Sequence, residues 1–417
     1  MVRSLLIVII CLGNLNPGLK AQTVLQDSKK SKILVSELDR IIQSKVDSNR
    51  IPGAVIEVKK EGKIVYRQVY GWAQKYDFNH LALNVPEKMT EGHLFDIASL
   101  TKVIGTTTAI MLLVDKGFLS VDDRVGKYIK AFDTGAKNKI TIRHLLTHTA
   151  GLYEWYPLYY RASNKQQSYQ LIGELPLKYP VGQRRSYSDL GFDLLGEIIE
   201  LVSGQPMDEF MNKSIFVPLG MSHTVFNPLK NGSFKKIAAT SMGNPYEWRM
   251  VHDSTLGFVT QEISPESWNG WRKYVLRGEV NDGNAWYANQ GISGAAGLFS
   301  TVEDLQKLVD MLLNNGKIAS GQFIRKSTID TFLSPDQFKN GLGWMMDPDN
   351  SFMKNGPPGS FGHTGFTGTS ISVVPRYHVS VILLINRQQM GLSATGDYYN
   401  VNPIRQQVFE TVLNYCR

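Results

Sequence analysis

The sequence predicts an α+β fold: one antiparallel sheet formed by both chain ends, with flanking helices and an inserted all-α region. Three observations predict it. Two stretches, one toward each terminus, pair short apolar runs around a turn. Between them, apolar residues recur at helical spacing. The 417 residues are 42% hydrophobic and 20% charged, which allows a large packed core and excludes global disorder.

The elements follow in order. Leu34, Val35, Leu38, Ile41, Ile42 and Val46 share one face of a helix. Ala54 to Val58, a Glu61-Gly62 turn and Ile64 to Tyr70 read as a β-hairpin. Val103, Ile104, Thr107, Ile110, Met111 and Val114 line one face of a helix that ends at Gly117. Helical patterns recur over 141–147, 190–203, 206–214 and 302–314, joined by Gly- and Pro-rich loops. A second hairpin joins 370–374 to 379–385 around Pro375 to His378, and Ile404 to Tyr415 closes the chain as a helix. On this reading 22–417 is one catalytic domain, with an α/β part at about 30–98 and 290–417 and a helical part at about 99–289.

The first 21 residues have a leader's layout: Arg3, an apolar run from Leu5 to Leu12, then Leu19-Lys-Ala21 at a plausible cleavage point. Eight apolar residues fall short of the roughly 20 needed to cross a bilayer, and no later segment reaches that length. Cleavage after Ala21 takes the net charge from +8 to +6 and leaves Cys416 as the one cysteine, so no internal disulfide is expected. The expected location is periplasmic or secreted. Lys and Arg number 45 against 37 acids, with no block of five like charges, which argues against a nucleic-acid partner.

The search for a nucleophile starts with exclusions. G-x-S-x-G, H-E-x-x-H, Walker A and dinucleotide fingerprints are absent. His144 and His148 are four apart but lack a third ligand, and read as structural histidines beside a helix end. S-x-x-K occurs at Ser99–Lys102, Ser233–Lys236 and Ser351–Lys354. The last two lie in polar or Gly/Pro-rich loops, whereas Ser99 opens the apolar helix. There Ser99 and Lys102 would be i, i+3 neighbours, and a buried, neutral lysine can activate a serine hydroxyl. The alternative is a helix cap and a solvated lysine.

Two further segments add candidates. Tyr187-Ser188-Asp189 precedes a helix, where the tyrosine can share the base role, or Ser188 or Asp189 can act only as the N-cap. Gly362-His363-Thr364-Gly365-Phe366-Thr-Gly368 leads into a strand. Its glycines permit close approach of a ligand, and the Phe366 N–H can serve as an oxyanion donor; the alternative is a Gly-rich turn.

These three elements, in this order, resemble the serine β-lactamase and penicillin-binding-protein superfamily, whose pattern is S-x-x-K, Y-x-N and K-T-G or H-T-G. Leu145 to Gly151 and Gly341 to Trp344 are similar to its class C branch. Ser222 to Leu229, Gly278 to Asp282 and Gly291 to Ser300 are similar to D-alanyl-D-alanine carboxypeptidases within it. The resemblance covers roughly 33–415. It implies an active site between an α/β part and an all-α part, with no metal or cofactor. By position, Ser99 would be acylated, Lys102 and Tyr187 would share the proton, and the N–H groups of Ser99 and Phe366 would form the oxyanion hole. Asp189, His363, Thr364 and Gly365 would face the substrate.

Three positions depart from the pattern. His363 replaces the usual lysine, so carboxylate recognition should weaken or vary with pH. Asp189 replaces an amide and cannot donate a hydrogen bond; it can instead hold Lys102. Asn281 stands where the carboxypeptidases have histidine. The resemblance therefore implies an exported acyl-enzyme hydrolase acting on peptidoglycan peptides. The alternatives are a carboxylesterase, a weak β-lactamase acting on β-lactams or other small acyl substrates, and a catalytically silent binding protein.

Overall fold

The computed structural model describes residues 29–230 and 232–417. The leader expected over residues 1–21 lies outside them.

The sheet is made by both ends of the chain. Strands β1 (Gly53–Lys60), β2 (Lys63–Tyr76) and β3 (Ala82–Lys88) come from the N-terminal side. Two-residue strands follow at β4 (Phe95–Asp96) and β5 (Val225–Phe226), then β6 (Leu298–Ser300), β7 (Lys317–Ile318) and β8 (Gly321–Gln322). Strands β9 (Phe361–Thr364), β10 (Ser370–Val374) and β11 (Val379–Ile385) complete the set. The six-stranded order is β3-β2-β1-β11-β10-β9, and its ladders are antiparallel. Ala54 opposite Ile385 and Val58 opposite Val381 join the two ends.

The central strands are apolar on both faces because both faces are covered. Ile56 and Val58 of β1, with Val381 and Leu383 of β11, pack among Leu38, Ile42, Ile404 and Val408 of the terminal helices Lys29–Asp47 and Asn402–Cys416. Val55, Ile382 and Leu384 point the other way, into the core shared with the central helices. Strand alternation accounts for the division. Each fully buried side chain of this size stabilises by about 1.5–3 kcal/mol.

Three features differ from expectation. Strand β3 was not anticipated; it is a mostly exposed edge strand containing Pro86, so it lacks an apolar alternation. The middle region is not purely helical, since β5 pairs with β6, which also pairs with β4. The helix after Ser99 opens as a π-helix, Lys102–Thr107, before turning α-helical over Thr108–Asp115. Such wide turns are common at functional sites. Among the described residues, no helix is long and apolar enough to cross a membrane.

Candidate active site

Ser99 lies just after β4, where the chain passes from sheet to helix. Asp96 accepts the Ala98 N–H at 2.8 Å and the Asn281 N–H at 2.7 Å, fixing that turn. Ala98 has φ of 46°, in the left-handed region that side chains other than glycine seldom adopt. The β9–β10 loop is fastened to the same stretch. Thr367 Oγ1 donates to the Asp96 carbonyl at 2.7 Å and Thr369 Oγ1 to the Ile97 carbonyl at 3.1 Å. Gly365 sits inside this clasp: a Cβ there would lie 2.1 Å from Thr369 Oγ1 and 2.5 Å from the Ile97 oxygen. The motif's glycine is thus required by close approach of backbone to backbone.

Lys102 is fully buried, and its ammonium has three definite partners. It lies 3.1 Å from Ser99 Oγ, 2.8 Å from the Ala295 carbonyl and 2.7 Å from Asp189 Oδ1. An ammonium has three protons, so all are engaged. Burial pulls its pKa down, but Asp189 and then Tyr187 carry it above the ordinary lysine value. The sequence left the charge of this lysine open; in the structure it is an ammonium, not the neutral base that burial alone would give. The Asp189 carboxylate, which the sequence reading offered as a holder of Lys102, is what outweighs burial.

Asp189 is the first residue of the helix Asp189–Ser203, and Ser188 is its N-cap, accepting from the Gly191 N–H at 3.2 Å. The capping reading and the site reading of this segment therefore coexist. Tyr187 precedes the cap, with its ring centroid 5.1 Å from Lys102 Nζ. Burial raises its phenol pKa, while the charge of Lys102 and hydrogen bonding with Ser99 and Lys102 oppose the rise. His148 was read as structural. Its ring stacks on Tyr187 at 4.3 Å, and its Nδ1 accepts the Ser188 N–H at 3.0 Å. Burial and the nearby Arg185 hold its pKa well below the usual histidine range, so it is a neutral prop for the tyrosine. His144 instead joins Thr141 in a capping box. Among the described residues, no group of three or more His, Cys, Asp or Glu is placed to hold a metal ion.

His363 is 2% exposed, and its Nδ1 is 2.9 Å from the Thr364 carbonyl. Burial, then Lys102, push its pKa down to about 3. The expectation that its titration makes substrate recognition vary with pH is therefore corrected: the ring is neutral at physiological pH. Thr364 is partly exposed at the end of β9. The Gly365 N–H bonds the Thr369 carbonyl at 2.7 Å. The N–H groups of Ser99 and Phe366 make no intramolecular hydrogen bond among the described residues, so both are free to face a ligand. The other two S-x-x-K serines lie elsewhere: Ser233 in a loop, and Ser351 on the wall of a separate polar cavity.

Two clefts meet at Ser99, and both are lined by Ser99, Tyr187 and Phe366. One, of about 350 Å³, also has His363, Thr364 and Gly365 with Arg185, Arg387 and Arg405. Arg405 donates to the carbonyls of Gly365 and Thr369 at 2.9 and 2.8 Å. Arg185 Nε is buried with no hydrogen-bond partner. The second cleft, of about 300 Å³, is aromatic and acidic, with Asp189 on its wall. None of these three arginines was singled out from the sequence. Arg185 stands two residues before Tyr187, and the run Arg184-Arg185 was the available signal.

Residues 38–405 match the family model described as Beta-lactamase. A relative in Escherichia coli K12 named "Putative D-alanyl-D-alanine carboxypeptidase" is 35% identical over 376 residues, 85% of this chain and 82% of that one. In Bacillus subtilis 168 a protein named N-acetylmuramyl-L-alanine amidase is 32% identical over 391 residues, 89% of this chain and 84% of its own length. A solved class C β-lactamase superposes with a TM-score of 0.67 at 20% identity, covering 93% of this chain and 99% of that one.

Proposed function

The chain belongs to the β-lactamase family of serine hydrolases, and from that premise we propose that it is an exported D-alanyl-D-alanine carboxypeptidase acting through an acyl-enzyme on Ser99. The observation that carries this reading is the Lys102 ammonium, held 3.1 Å from Ser99 Oγ with every proton engaged. A cation so fixed cannot itself accept the serine proton. It can stabilise an adjacent phenolate, which gives Tyr187 the role of base.

In the reactive form Tyr187 is ionised beside Lys102. Ser99 Oγ attacks the scissile carbonyl carbon as its proton passes to the Tyr187 oxygen. The carbonyl oxygen takes the negative charge and is held by the N–H groups of Ser99 and Phe366. Collapse breaks the C–N bond, and the leaving amine takes the proton from Tyr187. Water then attacks the ester, gives its proton to Tyr187, and the departing Ser99 oxygen recovers it. The C-terminal carboxylate of a D-alanyl-D-alanine peptide would lie toward Arg185 and Arg405, which supply the positive charge that neutral His363 does not. The names of the relatives, one a carboxypeptidase and one a cell-wall amidase, support a peptidoglycan peptide as substrate. The residue pattern at 1–21 supports export.

The same acyl-enzyme chemistry would act on simple esters, which need no carboxylate contact, and on β-lactams, whose ring carboxylate would lie toward the same arginines. The test is intact mass after incubation with a labelled penicillin, beside Ser99→Ala. A Ser99-dependent adduct, with release of D-alanine from a D-Ala-D-Ala peptide at a rate lowered about a thousandfold or more by the substitution, is expected. No adduct, together with no turnover of that peptide or of a p-nitrophenyl ester, would refute the reading.

A further inference from the structure

The Ala295 carbonyl, which takes one of the three Lys102 protons at 2.8 Å, sits on a turn that is fastened from several sides. The Ser293 N–H closes the turn on the Ala296 carbonyl at 3.2 Å. Ser293 Oγ accepts the Ala295 N–H at 2.9 Å and donates to Asp193 Oδ1. Thr106 Oγ1, four residues along the π-helix from Lys102, donates to the Gly294 carbonyl at 2.7 Å. Gly294 is pressed against the helix Asp189–Ser203: a Cβ there would meet the Phe192 carbonyl oxygen at 2.0 Å. Asp193, Ser293 and Thr106 are all buried.

Asp193 stands four residues after Asp189, so one face of that helix offers two carboxylates to the surroundings of the same lysine. Asp189 meets the ammonium directly at 2.7 Å. Asp193 reaches it at one remove, through Ser293 and the turn. The Ala295 N–H and C=O belong to successive peptide planes, so fixing the first restricts where the second can point. Burial pushes the Asp193 carboxyl up to about 7; Asp282 and Asp189 add to the rise, and the Ser293 hydrogen bond and Lys102 oppose it. A carboxyl oxygen can accept the Ser293 proton whether the group is charged or neutral, so the contact does not depend on ionisation.

We propose that Asp193 and Ser293 are positioning residues for Lys102, fixing the Ala295 carbonyl that holds the ammonium beside Ser99. This role rests on the Ser99 hydrolase reading only for its effect on rate. Neither side chain lines the two clefts at Ser99, so neither meets substrate there. A carbonyl freed from the Ser293 hydroxyl would turn away and leave one proton of a buried ammonium unanswered. That is costly away from water, and it lets the ammonium shift from the serine.

Two measurements on the full mature chain test it. With lysine Nζ isotopically labelled, a buried ammonium whose protons are all engaged exchanges slowly with water and gives its own NMR signal, assigned by its loss in Lys102→Arg. Ser293→Ala and Asp193→Ala should each abolish that signal, and Asp193→Asn, which keeps an acceptor oxygen, should restore it. The rate at which a labelled penicillin acylates Ser99 should fall about tenfold or more in each alanine variant, with most of the loss recovered in Asp193→Asn. The double alanine variant should be no slower than the slower single one, because the two residues act in series. A merely structural role would lower the unfolding midpoint and leave both the signal and the rate of the folded protein in place. A signal that survives both alanine substitutions, its absence from the unsubstituted chain, or additive rate losses would overturn the proposal. If Asp193→Ala fails to fold, Ser293→Ala, which removes a single oxygen, carries the test. Failure of the hydrolase reading is seen separately, as a Ser99 that penicillin does not label in the unsubstituted chain while the Lys102 signal still responds to the substitutions.

Discussion

The two clefts that share Ser99 are opposite in charge, and their charges are handled differently. On the arginine side, Arg405 is held by backbone carbonyls of the Gly365–Thr369 turn and Arg387 by the Phe366 carbonyl, so the cations also brace the loop that offers the Phe366 N–H. On the acidic side, Asp282 accepts the Ala285 N–H of its own turn, and Glu247, on the helix Pro245–His252, ties that helix to the same turn by accepting the Gly283 N–H beside the Tyr159 hydroxyl. Arg185 Nε is left without a partner and can meet a ligand, whereas burial pushes the Glu247 carboxyl up to about 8 and leaves it largely neutral at pH 7. Between them stands the Lys102–Asp189 pair, one ion of each sign, which sets the proton inventory of the nucleophile.

The comparison breaks most visibly if the turn dividing the clefts is displaced. Gly365→Ala should lower kcat/KM about a hundredfold, because the new methyl must push the turn off Thr369 and Ile97 and move the Phe366 N–H. A steady-state assay on a p-nitrophenyl ester checks it, and near-normal activity would show that the clasp tolerates movement. Asp189→Asn probes the pair between the clefts. Lys102's pKa is raised by Asp189 against burial, so removing the carboxylate lowers it and lets a neutral lysine act as base at lower pH. The wild-type rate should still be rising at pH 10, because burial holds the Tyr187 phenol above its ordinary value, and the rising limb should move about one pH unit or more to the acid side in the variant. An unmoved limb would mean that Asp189 does not govern that proton. The smallest effect is expected at Arg185→Ala. KM for a substrate ending in a carboxylate should rise about tenfold, with a neutral ester little affected. Equal changes for both substrates would remove the arginine cleft from carboxylate recognition.

Much of the fold was legible because its signals are local. The two hairpins around 54–70 and 370–385 announce themselves by apolar strands and turn residues, and the terminal helices by periodicity. Strand β3 was not legible, since an exposed edge strand need not be apolar. At the site, short motifs brought Ser99, Lys102 and Tyr187 forward, and the structure gathers them. His148 was read as a structural histidine and turns out to be Tyr187's stacking partner; a lone histidine beside a helix end gives no hint of which ring it will meet. Glu247 and Asp282 were not singled out, because nothing in the sequence of the short helix Pro245–His252 or of the turn at Asp282 distinguishes a solvated acid from a buried one.

By itself, then, the sequence determined where strands and helices form and which serine opens the helix, because hydrophobic period, turn residues and motif spacing are properties of neighbouring positions. Only the tertiary structure decided the charges. Lys102 stays an ammonium because Asp189 lies 2.7 Å away, His363 stays neutral because it is buried beside that ammonium, and the Glu247 carboxyl is pushed up to about 8 because it is buried near Asp282. Desolvation and Coulomb energy depend on distance and burial in space, and the groups that set them come from remote parts of the chain.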